Sequence, residues 1–458
     1  MALRPHGWFP RCLHRYRIGL QRGESHLHPA RVAALAVAYV GGRAVDLPLG
    51  GPLPEEAFAR ASGARGGGRT YPIGLSPPGD FYAGWYIWPL FLVSVAAANP
   101  SRTLVLYTEV APYVLACLDA LVARTGTRID LVRWPVNAEA PFVIGAHPGI
   151  TFHDRRSFTD EQLLAFAEKL APDLVIASGW VDKGYLKVCR TMRRNGITTS
   201  MNLDTAWRGG PRQWLSVALA PFWLRRTYSH IWATGERQAL YARKLGHDPH
   251  KVLTGLYAAD TAPFVAVFTG ARRARAERYP HRFIHVARYI PSKGQQLLCD
   301  AFAELCEQGR AGDWELHLVG TGELFDQVRQ SPAGRHPRIV HRGFVQAADI
   351  PGVLAEAGAS VLPSLYEPWG VVVQEHACMG LPLLLSDAVG AGERFLEVPA
   401  NGHRHRAGDK ADLQRGLLRI IEASDADLLR MGDRSAQLGA SWTPDDWAAL
   451  AERTLLKR

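Results

Sequence analysis

The chain is poor in sulfur and has no cysteine framework. Its six cysteines, at 12, 117, 189, 299, 306 and 378, are scattered without a C-x-x-C pair. That excludes a disulfide scaffold and a structural zinc site, and fits a reducing compartment. Charge is modest too, at 21% against 47% hydrophobic residues, which excludes a disordered or fibrous protein. The run Gly66-Gly67-Gly68 is not followed by Gly-Lys-Ser/Thr, so it is not a phosphate loop. Acidic groups are scarce at the start: residues 1–79 hold ten Arg and four acids, without the apolar core of a secretory signal. This stretch reads as a poorly ordered Arg/Gly/Pro-rich extension. Long apolar runs are lacking except for Phe81–Ala98, eighteen residues without a charge and the one candidate for membrane contact. Its marginal length, Gly84, Pro89 and bunched aromatics favour a buried or interfacial helix starting near Pro89 over a span.

A length of 458 residues predicts about three domains at ~150 residues each, ample for large cores. A net charge of +10 and a pI near 9.4 favour polyanionic partners: phosphorylated small molecules, an anionic membrane surface, or nucleic acid.

From residue 102 short β-rich apolar runs alternate with helical periodicity, the signature of parallel sheet covered on both faces. Strands are expected at 103–107, 129–134, 174–177, 197–201, 231–233 and 252–256, with helices at 112–123, 185–195, 212–227 and 238–246. The rhythm pauses at 258–264 around Pro263, where an inter-domain linker is expected. A second series follows, with strands at 283–287, 315–319, 339–341, 360–362 and 383–385. Helices are expected between them at 295–306, 324–329, 350–357 and from 371. The fold class is therefore α/β: two Rossmann-like doubly wound domains facing a cleft, with ligand beyond the carboxyl ends of the strands.

The most informative segment runs from Pro363 to Glu375. A strand ends at Leu362, Pro368 and Gly370 forbid helix through the loop, and a helix then runs to Met379 and stops at Gly380. The helix start at Gly370, Val371 and Val372 offers unpaired amides and partial positive charge to an anion. Glu375 can accept two hydrogen bonds from vicinal hydroxyls, as on a ribose, and Glu367 can hold a second, sugar-like group. Upstream, Arg288 ends the first strand of the second half and Lys293 opens the next helix. Two cations beside a helix start suit a pyrophosphate.

These segments, Glu367-x7-Glu375 and Arg288-x4-Lys293-Gly294, resemble glycosyltransferase family 4, strongly over about 283–425 and diffusely over 102–260. The resemblance implies the GT-B fold and retaining transfer from a nucleotide diphosphate sugar. It places Arg288 and Lys293 on the donor diphosphate, with Glu367 as the third catalytic residue, orienting the hexose. Glu375, Gly370, Val371 and Val372 are assigned to the donor, as are Gly320 and Gly322 after the second strand and Phe344 near the base. A glycine pair in such a turn is also a common packing device. No metal and no cofactor is expected, the nucleotide sugar being substrate. The implied domains are the extension 1–100 with the segment 81–98, an acceptor domain at 101–262 and a nucleotide-sugar domain at 263–435. A terminal helix within 436–458 is expected to pack back on the acceptor domain.

In the first half the signals thin. The loop 108–112 lacks the paired glycines many relatives use. Asp204 stands where relatives often place a His facing the donor sugar, and His147 and His153 are loop candidates for the acceptor side. The expected partners are a nucleotide-sugar donor, a sugar or lipid-linked acceptor and an anionic membrane surface, with no nucleic acid. The expected location is cytoplasmic, at the inner face of the membrane, in cell-surface polysaccharide or glycolipid assembly. A nucleotide-sugar epimerase or a non-catalytic binding protein on the same scaffold are the alternatives.

Overall fold

The computed structural model describes residues 37–40, 43–46, 100–135 and 145–456. Most of the extension, and with it the apolar segment 81–98, lies outside the described residues. The chain divides at Val93 into two units. In the first, strands β1 (Val37–Val40) and β2 (Arg43–Asp46) pair antiparallel.

The second unit holds two parallel sheets. The first contains β3 (Arg102–Tyr107), β4 (Arg128–Arg133), β5 (Ile150–Asp154), β6 (Leu174–Ala177), β7 (Thr198–Leu203), β8 (His230–Ala233) and β9 (Val252–Leu253), in the order β5-β4-β3-β6-β7-β8-β9. The second contains β10 (Arg282–Val286), β11 (Glu315–Val319), β12 (Ile339–His341), β13 (Ala359–Leu362), β14 (Leu383–Ser386) and β15 (Gly402–His405), in the order β12-β11-β10-β13-β14-β15. In both, the first three strands of the domain wind outward and the fourth returns to the other side of the first, the doubly wound pattern.

Strand periodicity explains the layering. Along β3, Leu104 and Leu106 enter one core while Val105 and Tyr107 enter the core on the opposite face. Helices Asp160–Leu170 and Lys183–Arg194 cover the first face, and helix Pro112–Thr125 the second. In the second sheet Phe283 and Ile284 likewise point into different cores. The terminal helix Pro444–Ala451 lies on the first sheet's domain: Trp447 stacks on Trp232 with ring centroids 4.5 Å apart and donates from Nε1 to the Leu256 carbonyl at 2.8 Å.

The fold corrects three expectations. The stretch expected as linker begins the helix Thr261–Glu277; Pro263 falls in its first turn, where a missing N–H costs no intrahelical bond. The irregular connection is therefore 254–260. The expected helix over 212–227 is broken into Pro211–Leu219, a turn at Ala220–Phe222 and Leu224–Thr227, because Pro221 interrupts it. β5 was absent from the expected series; as an edge strand with a buried Ile150 and exposed Thr151 and Asp154, it lacks an apolar run.

The chain crosses between domains twice, at 254–260 and again at 440–443. Gln374 grips both crossings. Its Oε1 accepts from the Ala259 amide at 2.8 Å, and its Nε2 donates to the carbonyls of Gly439 at 3.0 Å and Trp442 at 2.5 Å.

Candidate active site

The winding of the second sheet reverses between the parallel neighbours β10 and β13, and the two loops leaving their carboxyl ends carry the motif residues. The loops are stitched together: the amides of Leu365 and Tyr366 donate to the Ser292 carbonyl at 2.8 and 3.3 Å. Gly294, at φ +74°, lies so close to the second loop that a Cβ there would stand 2.7 Å from the Pro363 carbonyl oxygen. Lys293 Nζ donates to Glu367 Oε2, and the two side chains are only 17% and 10% exposed. Arg288 stands at the end of β10, half-buried, its carbonyl accepting from Gln295 Nε2 at 2.8 Å.

Glu367 is placed by its own loop. Gly370 has φ +93°, and a Cβ there would approach the Glu367 Cγ to 3.0 Å, so the absence of a side chain leaves room for the carboxylate arm. The helix Val372–Cys378 takes its first backbone bond at Val373, which donates to the Gly370 carbonyl at 3.0 Å. The amides of Gly370, Val371 and Val372 precede that ladder, as at any helix start. One turn on, Glu375 keeps part of its surface open to solvent. Burial, and then the nearby Asp260 carboxylate, push its carboxyl up to about 7. Burial also raises Asp260, with Asp119 contributing.

Gly320 and Gly322 serve close packing between the turns after β11 and β10. At φ +130° and +150°, Cβ atoms on them would come within 2.1 Å of the Ala287 carbonyl oxygen and 2.6 Å of that of Tyr289. The backbone loop after β12 joins this cluster: the Gly320 amide donates to the Gly343 carbonyl at 2.7 Å, placing the half-buried Phe344 next in chain.

The facing wall comes from the first domain. Asp204 is exposed at the end of β7, and its carbonyl accepts from Gln238 Nε2 at 3.1 Å. The same Nε2 donates to the Pro368 carbonyl at 2.7 Å, a direct link between the domains. Arg208 lies 4.5 Å over the Tyr366 ring across the crevice. Burial raises the Tyr366 hydroxyl, Asp204 adds to the rise and Arg208 opposes it, so these three groups share one rim. A second link joins Glu393 to the helix Glu236–Lys244: its carboxylate pairs with Arg237 Nε at 2.5 Å and accepts from the Glu236 amide at 3.2 Å. A carboxylate at a helix start is well placed against the local dipole.

Sequence reasoning named Asp204 but missed Arg208, Tyr366 and Gln238. Only the fold shows that a loop after β7 reaches the loop after β13.

The two candidate histidines lie beside and on β5. His147 precedes β5, at the amino ends of the strands, and its Nδ1 pairs with Asp119 at 2.7 Å. His153 is not in a loop: it sits on edge strand β5, bonded to Asp130 at 2.8 Å and edge-on to Phe166 at 4.9 Å. His147 is thus engaged by Asp119, and His153 by Asp130 and Phe166 on the edge strand.

Among the described residues no group of three His, Cys, Asp or Glu side chains is arranged to hold a metal. The chain's Asp425-Ala426-Asp427 triplet opens the helix Asp425–Gly439, where Asp427 takes a bond from Ser424 Oγ at 2.6 Å and Asp425 from His281 at 3.0 Å. It forms the first turn of a helix capped by Ser424, near the amino end of β10.

Residues 280–423 match the model for glycosyl transferases group 1. The chain is 31% identical over 183 residues to an alpha-D-kanosaminyltransferase of Streptomyces kanamyceticus, covering 38% of this chain and 46% of the relative. It is 28% identical over 172 residues to the mannosylfructose-phosphate synthase of Agrobacterium fabrum, covering 34% and 37%. The chain thus matches less than half the length of either relative. Among solved structures, Anabaena HepE in complex with UDP and glucose superposes with a TM-score of 0.59 at 18% identity, over 78% of this chain and 99% of that one. The protein therefore has the GT-B fold, and its residues 280–423 are similar to the glycosyl transferases group 1 domain.

Proposed function

We propose that the protein is a retaining glycosyltransferase that moves a sugar from a nucleotide diphosphate donor to a sugar or lipid-linked acceptor. The observation that supports this reading is the Lys293–Glu367 pair between two stitched loops at the reversal of one sheet, with Arg288 on the first of those loops and Glu375 on the helix that follows the second. Such a crevice is the usual ligand position in doubly wound domains. The matched family and the UDP-bound neighbour support the same class.

Transfer breaks the bond between sugar C1 and a phosphate oxygen and forms one between C1 and an acceptor hydroxyl oxygen, whose proton leaves with the diphosphate on which negative charge grows. Arg288 and Lys293 are cations in position to stabilise that charge without a metal. Removing one such donor typically costs about 10²–10³ in rate. Glu367 orients Lys293 and, on this reading, the hexose hydroxyls; its part is positioning rather than proton transfer. Glu375 takes the ribose hydroxyls, and the amides of 370–372 face phosphate. Asp204 and Arg208 stand on the opposite wall, where sugar and acceptor meet, with Arg208 reaching across to Tyr366. The reading extends to a cytoplasmic enzyme of cell-surface polysaccharide or glycolipid assembly.

The test is a thermal-shift screen of UDP, GDP and their sugars, since a ligand of the folded state stabilises by mass action. A rise with one nucleotide, lost in Arg288→Ala, is expected. No shift with any nucleotide diphosphate would sink the proposal. Product analysis with and without acceptor separates a transferase from an epimerase, which converts donor alone.

A further inference from the structure

The helix Pro211–Leu219 buries none of its residues, although its sequence is largely apolar. Trp214, Leu215 and Leu219, with Phe222 in the following turn, recur at helical spacing and are 57%, 61%, 52% and 72% exposed. An amphipathic helix normally turns that stripe to the core. Here the segment is anchored instead by Ala220 and Leu224, both essentially inaccessible, so the stripe points outward.

Charge decides what this face suits. Arg212 precedes the stripe and Arg225 and Arg226 follow it, all exposed. From Thr205 to Gly235 the chain has no Asp or Glu. The helix Lys183–Arg194, packed on Leu224–Thr227, also lacks an acid. Lys244 adds a cation over the rings of Trp207 and Trp214, at 5.0 and 5.9 Å. Aromatic and aliphatic side chains collared by arginines are the composition of a segment that lies in a bilayer interface. No helix among the described residues is long and apolar enough to cross a membrane.

We propose that Pro211–Arg226 is a monotopic docking surface for an anionic lipid bilayer, with Trp214, Leu215, Leu219 and Phe222 inserted among the headgroups and Arg212, Arg225 and Arg226 on anionic lipid. The surface begins immediately after Arg208 on the crevice rim, so docking brings the mouth of the crevice to the lipid surface. The proposal stands apart from the transferase reading, because lipid binding is measured without turnover.

The experiment is vesicle pelleting of the full chain with phosphatidylcholine alone and with phosphatidylcholine and phosphatidylglycerol in equal parts. Wild type is expected to pellet with the anionic vesicles, less as salt rises. The variant Arg212→Glu/Arg225→Glu/Arg226→Glu should weaken partitioning by on the order of a hundredfold or more. The variant Leu215→Ser/Leu219→Ser/Phe222→Ser should weaken it comparably, both with wild-type melting temperature and nucleotide response. Brominated lipid should quench wild-type fluorescence, and part of that quenching should vanish in Trp214→Phe.

Wild type that ignores anionic vesicles overturns the proposal. So does undiminished pelleting by both triple variants, which would assign lipid binding to another part of the chain. A wild-type dimer that the apolar variant converts to monomer would overturn it in favour of a second copy as the occupant.

Discussion

The Lys293 ammonium donates to the Glu367 carboxylate from one loop to the next, with both groups largely withdrawn from water. A half-buried pair of this kind is costly to break, because the surviving partner keeps an uncompensated charge. Lys293→Met and Glu367→Gln are each expected to lower kcat by about 10²–10³. Lys293→Met should also lower the melting temperature, as it strands the Glu367 carboxylate. Steady-state kinetics with calorimetry checks both; wild-type turnover in either variant removes the pair from the mechanism. Arg288→Ala and Glu375→Ala should each abolish turnover in a folded protein.

Glu375 gives the pH dependence. Its folded carboxyl titrates near 7, against an ordinary value of 4.5. The folded state therefore binds more protons than the unfolded state between those values, and this group's contribution to stability falls as pH rises from about 4.5 to 7. Glu375→Gln should be more stable than wild type above pH 7, by at most about 3 kcal/mol, with the advantage fading towards pH 4. Donor affinity should run the other way: it weakens below pH 7 as the carboxylate protonates, and that limb should be missing in Glu375→Gln. Chemical denaturation and nucleotide titration across pH 5–9 test the two signs.

Two glycines in the second domain separate packing from function. At Gly320 a Cβ would stand 2.1 Å from a backbone oxygen, with φ +130°, so Gly320→Ala should cost stability by about 3 kcal/mol or more. At Gly370 the nearest obstacle is the movable Glu367 side chain at 3.0 Å. Gly370→Ala should displace Glu367 and lose activity with a smaller change in melting temperature. Equal melting temperatures for Gly320→Ala and wild type would contradict the packing role.

The domain contact can be opened at Gly235, which starts the helix Glu236–Lys244. A Cβ there would lie 2.6 Å from Trp369 and 3.0 Å from Glu393 Oε2, both in the other domain. Gly235→Val should part the domains, enlarge the radius of gyration by small-angle scattering and lower kcat/KM by roughly 10–10². An unchanged radius with full activity would show that the contact does not set the domain spacing.

Why the second domain was legible from sequence is plain in its strands. β10, β11, β13 and β14 are short apolar runs ending in loops whose Pro and Gly residues mark the turns, so the motif residues could be set at strand ends before any coordinates. The first domain is harder to read because its edge is polar. β5 mixes buried and exposed positions, and His153 on it looks like a loop residue until Asp130 and Phe166 appear beside it. Pro263 misled in a different way, since a proline marks a helix start as readily as a break. Arg208 and Tyr366 are 158 positions apart, and their contact depends on domain closure rather than on local pattern.

Gln374 and Glu375 are neighbours on one short helix, yet they answer to different parts of the molecule. The amide side chain of the former fastens both passages of the polypeptide between domains, while the carboxyl group of the latter lies near Asp260 and is assigned to the donor under the proposed function. Any swing of one lobe against the other pulls on those fastenings and is felt one residue away. The tether that limits the swing thereby keeps the acid in register with its own lobe.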